Sequence, residues 1–224
     1  MYYTVQRVAN APRPGMWWDE AFWQAAESGE IANFRPESTR HRPRAAFRLV
    51  HDSRYISGIF RVEDRYVRAV VKEHNGPVCT DSCVEFFVRP RQDKGYFNFE
   101  FSANGTLHAS YIEDWRRTAA GFAKRTFIDA DLAAAVERCS TLPSYVEPEI
   151  SEPMVWQIGF RLPVSLLERF IGPLGEIAGQ RWRANFYKCG DRTSHPHWAA
   201  WAPVSSLNFH LPECFGEICI APNL

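Results

Sequence analysis

Two neighbouring stretches, DSCVEFFVRP (residues 81–90) and GYFNFEFSANG (residues 95–105), decide how this chain is read. In an extended strand successive side chains point to opposite faces, so Val84, Phe86 and Val88 share one face while Cys83, Glu85, Phe87 and Arg89 share the other. The second stretch sorts in the same way, with Phe97, Phe99 and Phe101 on one side and Tyr96, Asn98 and Glu100 on the other. An apolar period of two does not suit a helix; it specifies strands whose phenylalanine face lies against a core. Asn104 and Gly105 supply a turn, and TLHASY (106–111) is the expected antiparallel partner.

Outward from these strands the pattern repeats. Residues 44–50 and 54–62 read as two strands joined at His-Asp-Ser, and further strands are expected over 122–127, 132–137, 154–161 and 181–187. In the last of these, Trp182, Ala184 and Phe186 point inward and Arg183, Asn185 and Tyr187 outward. Helical spacing occurs over 16–28, where Trp17, Trp18, Ala21, Phe22 and Ala25 recur at steps of three and four before Gly29. A second short helix is expected from Pro163 through Phe170, because proline at a first helical position loses no hydrogen bond. Residues 138–153, rich in proline and glutamate, read as a long surface connection. Many short strands with few helices predict an all-β fold, a β-sandwich with short peripheral helices, as one domain over residues 1–224.

The composition restricts what such a fold can do. Lys plus Arg number 26 and Asp plus Glu number 26, so no net field attracts nucleic acid or an anionic membrane. The opening MYYTVQRVAN lacks a basic start followed by an apolar run, and no 18-residue apolar segment occurs. The expectation is a soluble protein, cytoplasmic as the sequence stands, extracellular or periplasmic where a signal peptide has been removed. The six cysteines, at 79, 83, 139, 189, 214 and 219, show no zinc-type spacing and read as free thiols, many of them buried.

The order of motifs resembles a known family. DSCVEFFVRP, YFNFEFSANGTLHASY, WQIGFRLPVSLL, RWRANFYKCG, HWAAWAP and FHLPECFGEICI, spread over roughly residues 16–220, are similar to the family 9 carbohydrate-binding modules. The resemblance implies a jelly-roll-like sandwich that binds sugars, often at chain ends, without transforming them. It also implies an association with polysaccharide-active enzymes and, in some members, a structural calcium. Two tryptophans close over the sugar in the characterised type, one of them shortly before the strand that carries Val-Glu. Here that neighbourhood is GPVCTDSCVE, with Cys79 and no tryptophan.

The polar faces supply the candidate groove. Glu85, Asn98 and Glu100 would share the surface opposite the phenylalanines, where carboxylates and an amide can hold adjacent hydroxyls while a ring covers the apolar face of a sugar. Trp198 and Trp201 in SHPHWAAWAP (194–203) and Trp115 in YIEDWRR are the candidate rings, and Arg183 and Lys188 are candidate donors from an adjacent strand. Three other readings compete. Glu85 and Glu100 could serve a glycoside hydrolase, which needs paired carboxylates at a set separation. His195 and His197, with Asp191 close by, could hold zinc, against solvent-facing histidines and a hydrogen-bonded His210. An accessory protein could keep the sandwich without the sugar. For calcium, Glu63 with Asp64 and Glu113 with Asp114 offer too few oxygens at any recognisable spacing. Met154, the residue an axial haem ligand would require, shares its face with Trp156, Ile158 and Phe160 and reads as core.

Overall fold

A computed structural model describes residues 1–119 and 121–222. The two deciding stretches form strands Cys83–Arg89 and Tyr96–Ser102, paired antiparallel with Glu85 opposite Glu100 and Phe87 opposite Asn98. Leu107–Thr118 and then Gly121–Phe127 extend this sheet on one side. On the other side follow Arg181–Cys189 and Gly216–Ile220. A second sheet is built from Arg44–His51, Tyr55–Asp64, Met154–Pro163 and Glu137–Ser140, each antiparallel to the next. The first strand, Tyr2–Arg7, belongs to both: residues 2–5 run parallel to Gly216–Ile220, and Gln6 and Arg7 run parallel to Arg44–His51.

The sheets face one another across phenylalanines. Phe47 stacks on Phe186 with centroids 3.4 Å apart, and Phe101 and Phe86 lie 5.2 and 5.8 Å from Phe160. Val84, Phe86, Val88, Phe97, Phe99 and Phe101 are all buried in this layer, as their alternation predicts. The architecture is an all-β, jelly-roll-like sandwich with short helices at its margins. No described helix is long and apolar enough to cross a membrane.

Three local expectations are corrected. Over residues 16–28 only Ala21–Ala25 forms a turn of 3-10 helix. The tryptophan-rich segment instead wraps the outer face of the second sheet, with Trp23 buried beside Val50 and Ile59 and the Trp18 N–H donating to the Gln157 side chain. Tertiary packing, not helical periodicity, spaces those rings. Residues 132–137 are not one strand, since Ala130–Ala133 is a helical turn and the strand begins at Glu137. Asp129 caps that turn by accepting the Leu132 N–H at 2.9 Å. Asp129→Ala is expected to lower unfolding free energy by about 1 kcal/mol in urea denaturation. The connection at 138–153 contains a strand, Val146–Ile150, paired with Val67–Ala69.

The face opposite the phenylalanines is covered rather than bare. Phe87, Tyr96, Ile112 and Tyr187 pack there against Ala200, Val204 and Phe215, with Phe209, Leu211 and Trp115 at the margin. The segment that follows Trp201 folds over this side of the sheet and leaves an opening at one end, above Glu85 and Glu100.

Candidate functional site

The opening is a cleft of about 300 Å³ lined by Glu85, Glu100, Asp191, Cys79, Cys189, Trp198 and the segment 207–210. Its size is at the lower end of small-molecule pockets. Strand register explains the floor. Glu85 lies directly opposite Glu100 on one neighbouring strand and Tyr187 on the other, so the two carboxylates emerge side by side on one surface.

Both acids are buried, with 2% of Glu85 and 7% of Glu100 exposed. The Cys189 thiol donates to Glu85 Oε1 at 3.2 Å, and the Asn98 amide donates to Glu100 Oε1 at 2.6 Å. Asn98 is in turn fixed by the Ser110 hydroxyl, which donates to its Oδ1. Burial, and then the charge of Glu100, raises the Glu85 carboxyl well above its ordinary range. Glu100 is also raised by burial, while His108 and the Asn98 hydrogen bond pull it back. Burial likewise raises Asp191, whose Oδ1 accepts the Trp198 indole N–H at 2.7 Å. That bond ties the orientation of the half-buried Trp198 ring to a carboxylate of the cleft.

The opposite wall is aromatic. Phe209 stacks on Tyr187 with centroids 4.0 Å apart, and the Tyr187 hydroxyl donates to the Phe209 carbonyl. His210 Nδ1 lies 2.8 Å from the Tyr96 hydroxyl, and burial depresses its pKa to about 3, so the ring is neutral at pH 7.

Of the residues expected from the sequence, Glu85, Glu100 and Trp198 line the cleft, with Asn98 immediately behind Glu100. Four others lie elsewhere. Trp201 is 2% exposed and packs edge-on against Phe47 and Phe186 in the core. Trp115 faces a separate hollow with Arg89 and Lys94, 6.0 Å from the Tyr96 ring. Arg183 shares the outer face but sits toward the far end of its strand, opposite Arg89, and donates to the Phe215 carbonyl. Lys188 lies opposite Val84, so alternation sends it through the sheet into the sandwich interior, away from Glu85.

There Lys188 is wholly buried, 3.3 Å from Asp64 Oδ2 and 2.6 Å from His197 Nε2, and it also donates to the Cys189 carbonyl. His41 completes the group, 2.7 Å from Asp64 Oδ1. This arrangement corrects the zinc reading. His197 Nδ1 donates to the His195 carbonyl and its Nε2 accepts from the Lys188 ammonium, so neither nitrogen has a lone pair for a metal. His195 stacks instead on Tyr66 at 3.7 Å, and Asp191 faces the cleft. The acidic pairs weighed for calcium each meet cations: Glu63 meets Arg61, Asp64 meets Lys188, Glu113 meets Lys124 and Asp114 meets Arg116. Met154 packs half-buried at the core margin. The group with metal-ligating geometry among the described residues is Cys83, Glu85 and Cys189, whose ligand atoms lie within 4.8 Å of one another.

Sequence reasoning missed the cover, Leu207 to His210, and the thiols Cys79 and Cys189 as lining. The cover left a trace in Leu207, Phe209 and Leu211, which alternate as an extended apolar strap would. Cys189 was legible in principle, since it continues the outward set of Asn185 and Tyr187.

The fold has solved counterparts. A candidate carbohydrate-binding protein from Bacteroides uniformis is 27% identical, with 98% of each chain covered and a TM-score of 0.85. A family 9 module from Caldicellulosiruptor kristjanssonii in complex with glucose is 13% identical over 100% of this chain and 97% of its own, with a TM-score of 0.64. The same organism's module with cellotriose gives 13% identity, 100% and 95% coverage and a TM-score of 0.66. At 13% identity these two speak for the fold alone. No curated protein gives a significant match. The family model described as carbohydrate-binding family 9 matches residues 22–220, nearly the whole of the sandwich, and the chain therefore belongs to carbohydrate-binding family 9.

Proposed function

We propose that the protein binds the end of a sugar or oligosaccharide in the cleft above Glu85 and Glu100 and does not cleave it. The observation that carries this reading is the convergence of two adjacent carboxylates with the Trp198 ring on one small opening. Carboxylate oxygens accept hydroxyl protons, and a ring offers its face to C–H groups. The Asp191 hydrogen bond holds that ring in place before any ligand arrives. The neighbouring modules solved with glucose and cellotriose support the ligand class.

The two carboxylates suit the holding of sugar hydroxyls. As direct cross-strand neighbours they form one floor, so a ligand rests over both. A glycosidase needs an acid and a nucleophile or base flanking the scissile bond, and release of reducing sugar separates that role from binding.

Isothermal titration with glucose and cello-oligosaccharides tests the reading. Heat of binding is expected, with roughly a five- to tenfold loss of affinity in Trp198→Ala. Trp115→Ala, in the separate hollow, is expected to change affinity by less than about twofold. No heat with any sugar of a broad panel would leave the accessory-protein reading in its place. Release of reducing sugar on incubation would instead revive the hydrolase.

A further inference from the structure

The charge lining the cleft is of one sign, beside the neutral Asn208 and His210. Glu85, Glu100 and Asp191 line it, and no arginine or lysine does so among the described residues. Arg192, next to Asp191 in the chain, acts on that carboxyl from outside the lining, and Lys188 is directed into the sandwich interior and engaged there by Asp64 and His197. His108, opposite Glu100 on the adjacent strand, and Arg125 act on Glu100 from outside the lining.

Both floor carboxylates are also under-used. Among the described residues Glu85 accepts one hydrogen bond, from a thiol, and Glu100 accepts one, from an amide. Each therefore has a second oxygen without a protein donor, on a side chain more than nine-tenths buried that lines the cleft. A carboxylate accepts several hydrogen bonds, and a buried one is costly until paired with a cation. A neutral sugar supplies hydroxyl donors but no charge, whereas a primary ammonium supplies three donors and a positive charge together.

We propose that the cleft selects an unacylated amino sugar, whose ammonium bridges the free oxygens of Glu85 and Glu100 while the Trp198 ring covers the sugar face. This rests on the carbohydrate-binding reading and specifies its ligand.

The test is titration with glucose, glucosamine and N-acetylglucosamine at pH 6 in chelator-containing buffer. Glucosamine is expected to bind roughly tenfold or more tightly than glucose. N-acetylglucosamine, which has the same ring without the charge, is expected to lose that advantage. The preference should also disappear in Glu85→Gln/Glu100→Gln, a near-isosteric change that removes buried charge; the comparison of the three sugars holds whether or not this variant folds. Glucose binding as tightly as glucosamine would overturn the amino-sugar preference and leave carbohydrate binding standing. Failure of all three, together with the oligosaccharides above, would overturn both. Binding of Zn²⁺ or Ca²⁺ that Glu85→Gln/Glu100→Gln abolishes, with no advantage for glucosamine over glucose, would assign the floor to a metal and overturn the proposal.

Discussion

Lys188→Met is expected to lower the unfolding free energy by about 3–5 kcal/mol, the usual cost of leaving a buried charge without its partner. Lys188 and the Asp64 side chain are both wholly inaccessible, and their pairing crosses from one sheet to the other. Methionine fills most of the volume of the lysine stem, so the loss reports on charge more than on cavity. Among the described residues Asp64 would retain His41, the Trp156 indole and the Arg65 N–H as hydrogen-bond partners. Adding Asp64→Asn removes the stranded charge and keeps much of that hydrogen bonding, so the double variant is expected to lose less than Lys188→Met alone. Urea denaturation of the four proteins measures the coupling. Strict additivity of the two substitutions would mean that the residues do not share a charge pair.

Acidification is expected to destabilise the protein through the same cluster. Burial, and then the charge of Lys188, lower the His197 pKa from 6.5 to about 3. The unfolded chain takes up a proton at this residue below pH 6.5, whereas the native state does not until about pH 3. Stability from His197 is therefore fully present above pH 6.5 and falls by about 1.4 kcal/mol for each pH unit below it. Glu85 and Glu100 have the opposite sign. Their folded-state pKa values lie above 4.5, so their contribution is present below that value and is lost as pH rises. A single pH profile mixes these effects, and a variant separates them. His197→Gln can still accept from Lys188 but does not titrate, so its stability difference between pH 7 and pH 5 should be smaller than that of the wild type by about 2 kcal/mol. Equal pH dependence in the two proteins would show that the wild-type imidazole titrates normally.

Most of the sandwich was legible because strand alternation is a local property. Val84, Phe86 and Val88 could be placed in the core from residue type alone, and Glu85 beside Glu100 followed once the two strands were paired. What failed depended on partners distant in sequence. The rings at 17–23 show helical spacing but are held by Val50, Ile59 and Gln157, none of which is visible from the local pattern. Trp198 and Trp201 are three residues apart in one segment, yet one lines the cleft and the other fills the core, because Trp201 meets Phe47 and Phe186. Lys188 shows the opposite case. Expected as a groove donor, it continues the inward set of Phe186 one turn of the pleat further, where Asp64 and His197 supply its counter-groups.

The strand shared by both sheets bears on how the protein folds. Tyr2–Arg7 takes its hydrogen bonds from Gly216–Ile220 as well as from Arg44–His51, so the two sheets are joined only when segments far apart in sequence have met. Until residues 216–220 dock, the Tyr3 and Val5 side of the seam is an open β edge. Seam closure is thereby a long-range step of folding, and until it is made the free edge can pair with a second chain instead.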